Sequence, residues 1–286
     1  MCGISGITTN NESLVRKMIL NTSHRGPDNS GIYSDTSVTL GHCRLSIIDL
    51  SSKANQPMSN NNDSLIISYN GEIYNFLKIR ADLQNKGVNF NTDSDTEVIL
   101  KLYEREGLNS FKKLRGIFAF SIWDKKEDKL IISRDPLGVK PLYYFFHENN
   151  LIFSSELKAI YSVVPNLEID EVSLNVYFNL GYITGPNTIW KGVKKLLPGH
   201  TLIFSKGNIK INKYYSNNLE TEYIEKNLIR DQISEKIHNV VKDQLVGDVP
   251  VGLFLSGGID SSLLLAIMSK YSESPVNTFS SFFDLD

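Results

Sequence analysis

Residues 253–270, LFLSGGIDSSLLLAIMSK, restrict the possible fold more than any other stretch of the chain. The continuous apolar run that leads into them, VPVGLFLS, reads as a strand buried on both faces, as in a parallel sheet. Ser256-Gly257-Gly258 then turns the chain, and an apolar helix begins at about Asp260. Glycines let the backbone turn sharply and let a ligand approach it closely. The free amides of a new helix N-terminus favour an anion such as a phosphate. No lysine follows the glycines, so the pattern is not a Walker A loop. A Gly-Gly pair can also be a plain strand-to-helix connection. Strand, glycine turn, hydroxyls and helix in this order nevertheless point to phosphate binding.

Upstream, Ile229, Ile233, Ile237, Val241 and Leu245 recur at four-residue spacing and predict a helix, preceded by the polar segment SNNLETEY at 216–223. The character of the chain changes there, so an α/β domain is expected to begin near residue 216. Before it, GIFAFSIWD, KLIISRD, PLYYFF and NLIFSS predict a meander of antiparallel strands. TLIFSKGNIKINKYY predicts a hairpin turning at Lys206-Gly207-Asn208. LIISYNGEIYNFLKIRADLQNKG predicts a strand, a turn at Asn70-Gly71 and an amphipathic helix ended by Gly87. Ser94 and Glu97 are placed as a capping box, with Gly107 at that helix's C-terminus. SNNND at 59–63 is expected to be a solvated loop, and KKEDK and the other lysine pairs likewise.

Length and composition remove several classes of function. A chain of 286 residues suggests two domains, and 41% hydrophobic with 22% charged residues is ordinary globular composition. A net charge of -2 with no long basic cluster gives no footprint for nucleic acid. Cys2 and Cys43 are the two cysteines, too few for a disulfide framework, which implies a reducing compartment. No apolar run reaches membrane-spanning length, and the N-terminus lacks a signal-peptide pattern. A cytoplasmic protein without membrane contact is therefore expected. None of the five histidines lies in metal-ligand spacing, so no metal site is expected on the protein itself. Cys43 reads as a small core residue, and LYYFF at 142–146 as sheet core.

The first seven residues, MCGISGI, put a cysteine directly behind the initiator methionine. Taken alone, such a position is usually a frayed end. If Met1 is removed, however, Cys2 carries a thiol and a free α-amine that titrates near pH ~8. The residue would then bring its own base, as N-terminal threonine nucleophiles do.

Together with HRGPD (24–28), RLSIIDL (44–50), NGEIYN (70–75), SDTE (94–97) and RDPLGVKPLYY (134–144), MCGISGI resembles class II glutamine amidotransferases. SGGIDSS resembles the pyrophosphate loop of ATP-pyrophosphatase enzymes. The whole series, in this order, is similar to glutamine-hydrolysing asparagine synthetases and covers almost the full chain. The resemblance implies an α+β fold, the N-terminal-nucleophile hydrolase αββα sandwich, over 2–215. It implies the beginning of an α/β parallel-sheet nucleotide-binding domain, cut short, over 216–286. By the same resemblance Cys2 is the nucleophile, and the Asn70 side chain and Gly71 N–H stabilise the oxyanion. Arg44 takes the glutamine carboxylate, Glu72 and Asp95 take its ammonium, and Leu45 and Ile47 complete the glutamine pocket. Arg25 and Asn75 support this set from outside it. Leu255, Ser256, Gly257, Gly258, Asp260 and Ser261 would bind ATP, with Mg²⁺ as the cofactor of synthesis.

The implied reaction is hydrolysis of glutamine to glutamate and ammonia, which amidates ATP-activated aspartate to give asparagine, AMP and pyrophosphate. The implied partners are glutamine, aspartate and ATP, with a homodimer or another chain covering the cut domain. These residues alone are expected to keep only the glutaminase half. Two alternatives share every motif: amidation of another acceptor, such as a sugar carboxylate, and a shortened regulatory or binding partner without synthesis. Two positions depart from the family. Ser23 stands where a basic residue commonly precedes the HRGPD histidine, and Ser281 and Phe282 stand where a small apolar residue and a glycine are usual.

Overall fold

The computed structural model describes residues 1–216 and 226–282. The chain divides into two compact units, Met1–Asn217 and Asn218–Asp286. Most of the polar segment at 216–223 and the last four residues of TFSSFFDLD lie outside the described residues.

The first unit contains two six-stranded antiparallel sheets. One has the order β10 (Val193–Lys195), β8 (Tyr143–His147), β9 (Asn150–Ser154), β1 (Gly3–Ile7), β3 (Thr39–Arg44), β2 (Asn29–Ser34). The other has the order β12 (Asn208–Lys213), β11 (His200–Ser205), β7 (Lys129–Arg134), β6 (Gly116–Asp124), β5 (Leu65–Ile73), β4 (Met58–Ser59). Ile4, Leu40 and Phe153 from the first sheet and Ile66, Ala119 and Ile132 from the second share one buried cluster, so the sheets pack face to face. A second cluster joins β5 and β6 to α2 (Phe76–Gln84) and α3 (Asp95–Glu106) through Phe118, Phe120, Leu83 and Leu100. A third joins β1 and β3 to α1 (Glu12–Thr22) and α4 (Leu157–Tyr161) through Ile7, Val15, Met18 and Ile160. Each fully buried aliphatic or aromatic side chain contributes roughly 1.5–3 kcal/mol. The glycine spacing of MCGISGI follows from this packing. A Cβ on Gly6 would lie 2.5 Å from the Phe153 ring, so only glycine lets β1 sit against β9.

Four expectations need correction. Asn70-Gly71 is not a turn: β5 runs straight through it to Ile73, with Asn70 opposite Ala119 and Gly71 opposite Phe118. The strands from 116 to 154 are not one meander but two hairpins, β6–β7 and β8–β9, in different sheets, because the chain crosses between sheets after Arg134. Only half of the capping box forms. Ser94 Oγ accepts from Glu97 N at 3.3 Å, but the Glu97 carboxylate turns to the N–H groups of Asn91 and Thr92. Within SNNND, Asn60 is buried and ties the loop to Ser64, Leu65 and Glu104. The hairpin turning at Lys206-Gly207 and the Gly107 helix end are as expected.

The second unit contains α6 (Lys226–Gln244), β13 (Gly252–Phe254), α7 (Ile259–Tyr271) and β14 (Asn277–Phe279). β13 and β14 pair in parallel, and the periodic helix and the strand–glycine–helix unit form where expected. Burial differs from expectation. Among the described residues of this unit the buried apolar cluster is Val241, Ile267 and Met268. Phe254, on the strand expected to be covered on both faces, is 85% exposed because a two-stranded sheet gives its side chain no opposing layer. Among the described residues no helix is long and apolar enough to cross a membrane.

Candidate active site

Strand register brings the first residues of the chain to the end of β3. Gly3 pairs with Cys43, which sets Cys2 beside Arg44 and Leu45. Cys2 Sγ accepts from Leu45 N at 3.4 Å and donates to Leu45 O at 3.6 Å. Burial pushes the Cys2 thiol up, and the Leu45 N–H opposes that shift only in part. A resting thiol therefore needs a base to become a nucleophile. Burial moves the α-amine of Met1 the other way, down from its ordinary value. On the opposite face Arg25 Nε donates to Cys2 O at 2.9 Å, and Arg25 Nη1 is held by Glu156 at 3.1 Å.

β5 supplies the facing wall. Asn70 is fully buried, lines the same cavity as Cys2, and has no hydrogen-bond partner for either amide atom. An unsatisfied buried polar group costs roughly 1–3 kcal/mol, so a ligand atom that paired with it would recover that penalty. The backbone beside it is equally open. Asp135 N donates to Phe118 O, so β6 directs Phe118 toward β7, and the Gly71–Phe118 pair is of the non-hydrogen-bonded kind. The N–H groups of residues 69, 71 and 73 therefore point away from β6. Tyr69 N donates to Gln56 Oε1 at 2.7 Å and Ile73 N to Asp95 Oδ2 at 3.0 Å, whereas Gly71 N has no partner among the described residues. A Cβ at Gly71 would lie 2.3 Å from Ile117 O, so a side chain there would drive this strand out of place.

Two carboxylates share the cavity. Asp95 opens α3 and accepts from Tyr69 Oη at 2.6 Å. Burial raises its affinity for a proton, against those hydrogen bonds. Glu72 is pushed up to about 8, by burial first and by the Asp95 charge second. Arg44 is buried at the cavity wall and donates to Ser51 O at 2.8 Å and Asn55 Oδ1 at 2.7 Å, and also to the Asp49 carbonyl. Those acceptors are neutral, so the guanidinium still favours an anion beside it. Leu45 and Ile47 line the cavity.

Asn75 does not. Its side chain bridges Lys113 O at 2.9 Å and Arg115 N at 2.9 Å and fixes the start of α2. Ser23 turns its hydroxyl back to Leu20 O at 2.9 Å, away from Arg25. Among the cavity residues that escaped sequence reasoning are Gln56, Tyr69 and Lys140. Tyr69 directly precedes the NGE run and Lys140 lies inside RDPLGVKPLYY, so both had a signal in their neighbours, while Gln56 had none.

The phosphate-loop residues lie in the second unit. Leu255 N extends the β13–β14 ladder to Phe279 O at 2.8 Å. Ser256 Oγ and Ser261 Oγ meet at 3.1 Å across the turn, Gly257 takes φ +79, and Gly258 and Asp260 lead into α7. The loop is exposed, with its backbone turned around an open helix N-terminus. Among the described residues no group of three or more His, Cys, Asp and Glu side chains is placed to hold a metal ion.

The family described as glutamine amidotransferase domain matches residues 1–215, and that described as asparagine synthase matches residues 232–286. Asparagine synthetase [glutamine-hydrolyzing] 1 of Bacillus subtilis is 38% identical over 98% of this chain and 45% of its own length. A putative asparagine synthetase [glutamine-hydrolyzing] 2 of Methanocaldococcus jannaschii is 40% identical over 98% of this chain and 59% of its own. The chain thus spans about half the length of these curated relatives. Among solved structures, glutamine phosphoribosylpyrophosphate amidotransferase of Bacillus subtilis superposes with a TM-score of 0.58 at 23% identity, over 76% of this chain and 50% of its own. That likeness bears on the fold.

Proposed function

This chain belongs to the glutamine amidotransferase domain family, and from that premise we propose that residues 2–215 are a glutaminase with Cys2 as its nucleophile. The observation that carries the proposal is the pairing of an unsatisfied Asn70 amide and an open Gly71 N–H in the cavity that holds Cys2. Removal of Met1, which is 55% exposed, leaves the α-amine on Cys2 itself. The amine takes the thiol proton, and the sulfur attacks the carboxamide carbon of glutamine. Negative charge moves to the carboxamide oxygen, where Asn70 Nδ2 and Gly71 N–H would receive it. Collapse returns the proton to the departing nitrogen, releases ammonia and leaves a γ-glutamyl thioester. Water, deprotonated by the same amine, hydrolyses the thioester to glutamate. Arg44 would hold the substrate carboxylate, with Glu72 and Asp95 holding its ammonium. Arg25 keeps the Cys2 carbonyl in place. The three cores of the first unit support its assignment as an αββα N-terminal-nucleophile fold.

For the second unit we propose the start of an ATP-dependent amide-forming domain. Its exposed glycine turn and helix N-terminus, with hydroxyls of Ser256 and Ser261, fit a polyphosphate. Mg²⁺ would arrive with the nucleotide, near Asp260, and neutralise phosphate charge. The names of the relatives favour aspartate as the acceptor of ammonia and asparagine as the product. Exposed Phe254, Ile259, Phe279 and Phe282 leave that unit poorly covered, so the 286 residues tested alone are expected to hydrolyse glutamine without forming asparagine.

The test is glutamate and ammonia release from glutamine by the purified chain, with and without ATP, Mg²⁺ and aspartate. Equal molar release of the two products, abolished in Cys2→Ala, is expected. Equal turnover by Cys2→Ala would overturn the nucleophile assignment, and asparagine formation by these residues alone would overturn the division of labour.

A further inference from the structure

The cavity contains a buried cation to which the attack on the amide, as proposed above, assigns no step. Lys140 is 6% exposed, lines the cavity with Cys2 and Glu72, and its ammonium makes no hydrogen bond or ion pair among the described residues. Its position is nonetheless tightly built. Asp135, fully buried, accepts from the N–H groups of Leu137 at 3.1 Å, Val139 at 3.0 Å and Lys140 at 3.0 Å. Arg134, also buried, donates from Nε to Lys140 O at 2.7 Å and from Nη1 to Leu196 O at 2.6 Å. Two buried charged side chains thus clamp both backbone groups of Lys140, and the residue they deliver to the cavity is a lysine.

A buried ammonium is costly unless a carboxylate faces it. The charged and titratable groups around it are Glu72 on β5, Asp95 on α3, Asp135 on its own loop, Arg25 and Arg44, the chain terminus with Cys2, and the phenols of Tyr69 and Tyr74. Asp95 already accepts from Tyr69 and Ile73, and Asp135 from its loop. Glu72 has no hydrogen bond or ion pair among the described residues, and the neighbouring Asp95 works against its ionisation. Glu72 and Lys140 thus line one cavity as an acid and a base, and neither side chain has a hydrogen-bond or ion-pair partner among the described residues. Burial lowers the proton affinity of Lys140, and Glu72 is the group that most strongly opposes that loss.

We infer that Lys140 is a specificity-determining residue of the pocket: its ammonium is the counter-charge that lets Glu72 present an anion to the α-ammonium of the substrate. The pocket then selects amino-acid amides over amides that lack the amine. This rests on the glutamine-hydrolysing function proposed above.

The test compares glutamine with its des-amino analogue, 4-carbamoylbutanoate, across pH for the mature wild type, Lys140→Met, Lys140→Arg and Glu72→Gln. In Lys140→Met the KM for glutamine should rise about 10-fold or more with a smaller fall in kcat, as loss of a ground-state contact requires. The acid limb of kcat/KM should move to higher pH, because Glu72 without its counter-charge holds its proton longer. The des-amino amide should lose far less, and Lys140→Arg should recover most of the glutamine preference. Combining Lys140→Met with Glu72→Gln should be no worse than Glu72→Gln alone, which keeps the test valid even if one single variant folds poorly. A fall in kcat with KM and pH profile unmoved, equal losses on both amides, or additive losses in the double variant would overturn the inference. A wild type that fails to hydrolyse glutamine would instead overturn the glutaminase function, and the inference with it.

Discussion

The two units of this chain treat apolar surface in opposite ways. The first builds three buried clusters around two sheets and then leaves Asn70 buried and unpaired among them. Among its described residues the second has a cluster of three buried residues and leaves Phe254, Ile259 and Phe279 more than half exposed. A large core tolerates an energetic defect at its centre, and the defect marks the candidate catalytic site. A small core has no such reserve, and its candidate site is instead a backbone loop at a helix N-terminus. In keeping with this difference, one set of candidate binding groups is mainly side chains held by strands, while the other is mainly amides and hydroxyls.

The largest effect that sharpens this contrast lies at Cys2. Cys2→Ala should lower glutamine hydrolysis by at least about 1,000-fold with the thermal midpoint unchanged. Cys43→Ala, in the β1–β3–α1 core, should keep turnover and lower stability by about 1 kcal/mol. Steady-state kinetics and thermal unfolding of both variants check this pair, and similar kinetic losses in the two would break it. Next, Asn70→Ala should lower kcat by about 100- to 1,000-fold. Because it also removes an unpaired buried amide, its stability should hold or rise by about 1 kcal/mol. A destabilised Asn70→Ala with normal kcat would make Asn70 a structural residue. Limited proteolysis should then cut the second unit at least about 10-fold faster than the first and leave glutaminase activity intact. Cleavage within β5 or β6 at a comparable rate would erase the distinction between the units.

Much of this was legible in the sequence, and the failures have physical causes. The strands of the first unit, the hairpin at Lys206-Gly207 and the α6 and α7 helices follow from local periodicity and turn residues. Asn-Gly, a strong hairpin signal, misled at 70–71 because Gly71 serves there to let β5 approach Ile117 O. The two hairpins between 116 and 154 read as one meander because local pattern does not encode a crossing between sheets. VPVGLFLS reads as buried from its own residues, yet burial of a strand depends on the layers beside it. At the site, Cys2, Arg44, Asn70, Gly71, Glu72 and Asp95 sit in recognisable motifs and converge on one cavity. Gln56 is tied to it by the Tyr69 N–H of another strand, whereas Lys140 is set by the local Asp135–Arg134 clamp inside its own motif, whose neighbours carried a signal.

A smaller effect ties the defect of the first unit to pH. Glu72 is pushed up to about 8 in the folded state, above its ordinary value of 4.5. The folded chain therefore binds more protons than the unfolded one between those values. The stability contribution is fully present below the unfolded value and is lost as pH rises through about 8. Glu72→Gln should accordingly be more stable than wild type at pH ~9 by about 1–3 kcal/mol, with a raised KM for glutamine. Chemical denaturation of both proteins at pH ~5 and ~9 measures the difference, and an alkaline loss of stability on substitution would contradict the assigned burial of charge.

The central claim is that the sulfur of an N-terminal Cys2 attacks the glutamine side-chain carbonyl carbon in a cavity built by β1, β3, β5 and α3. Incubating the purified chain with a glutamine analogue that carries an electrophilic γ-ketone, then mapping the adduct by mass spectrometry, tests it most directly. The expected result is a single adduct on Cys2 of a chain lacking Met1, with Cys43 unmodified and labelling suppressed by excess glutamine. Labelling of any other residue, or efficient labelling and full activity of a chain that retains Met1, would contradict it.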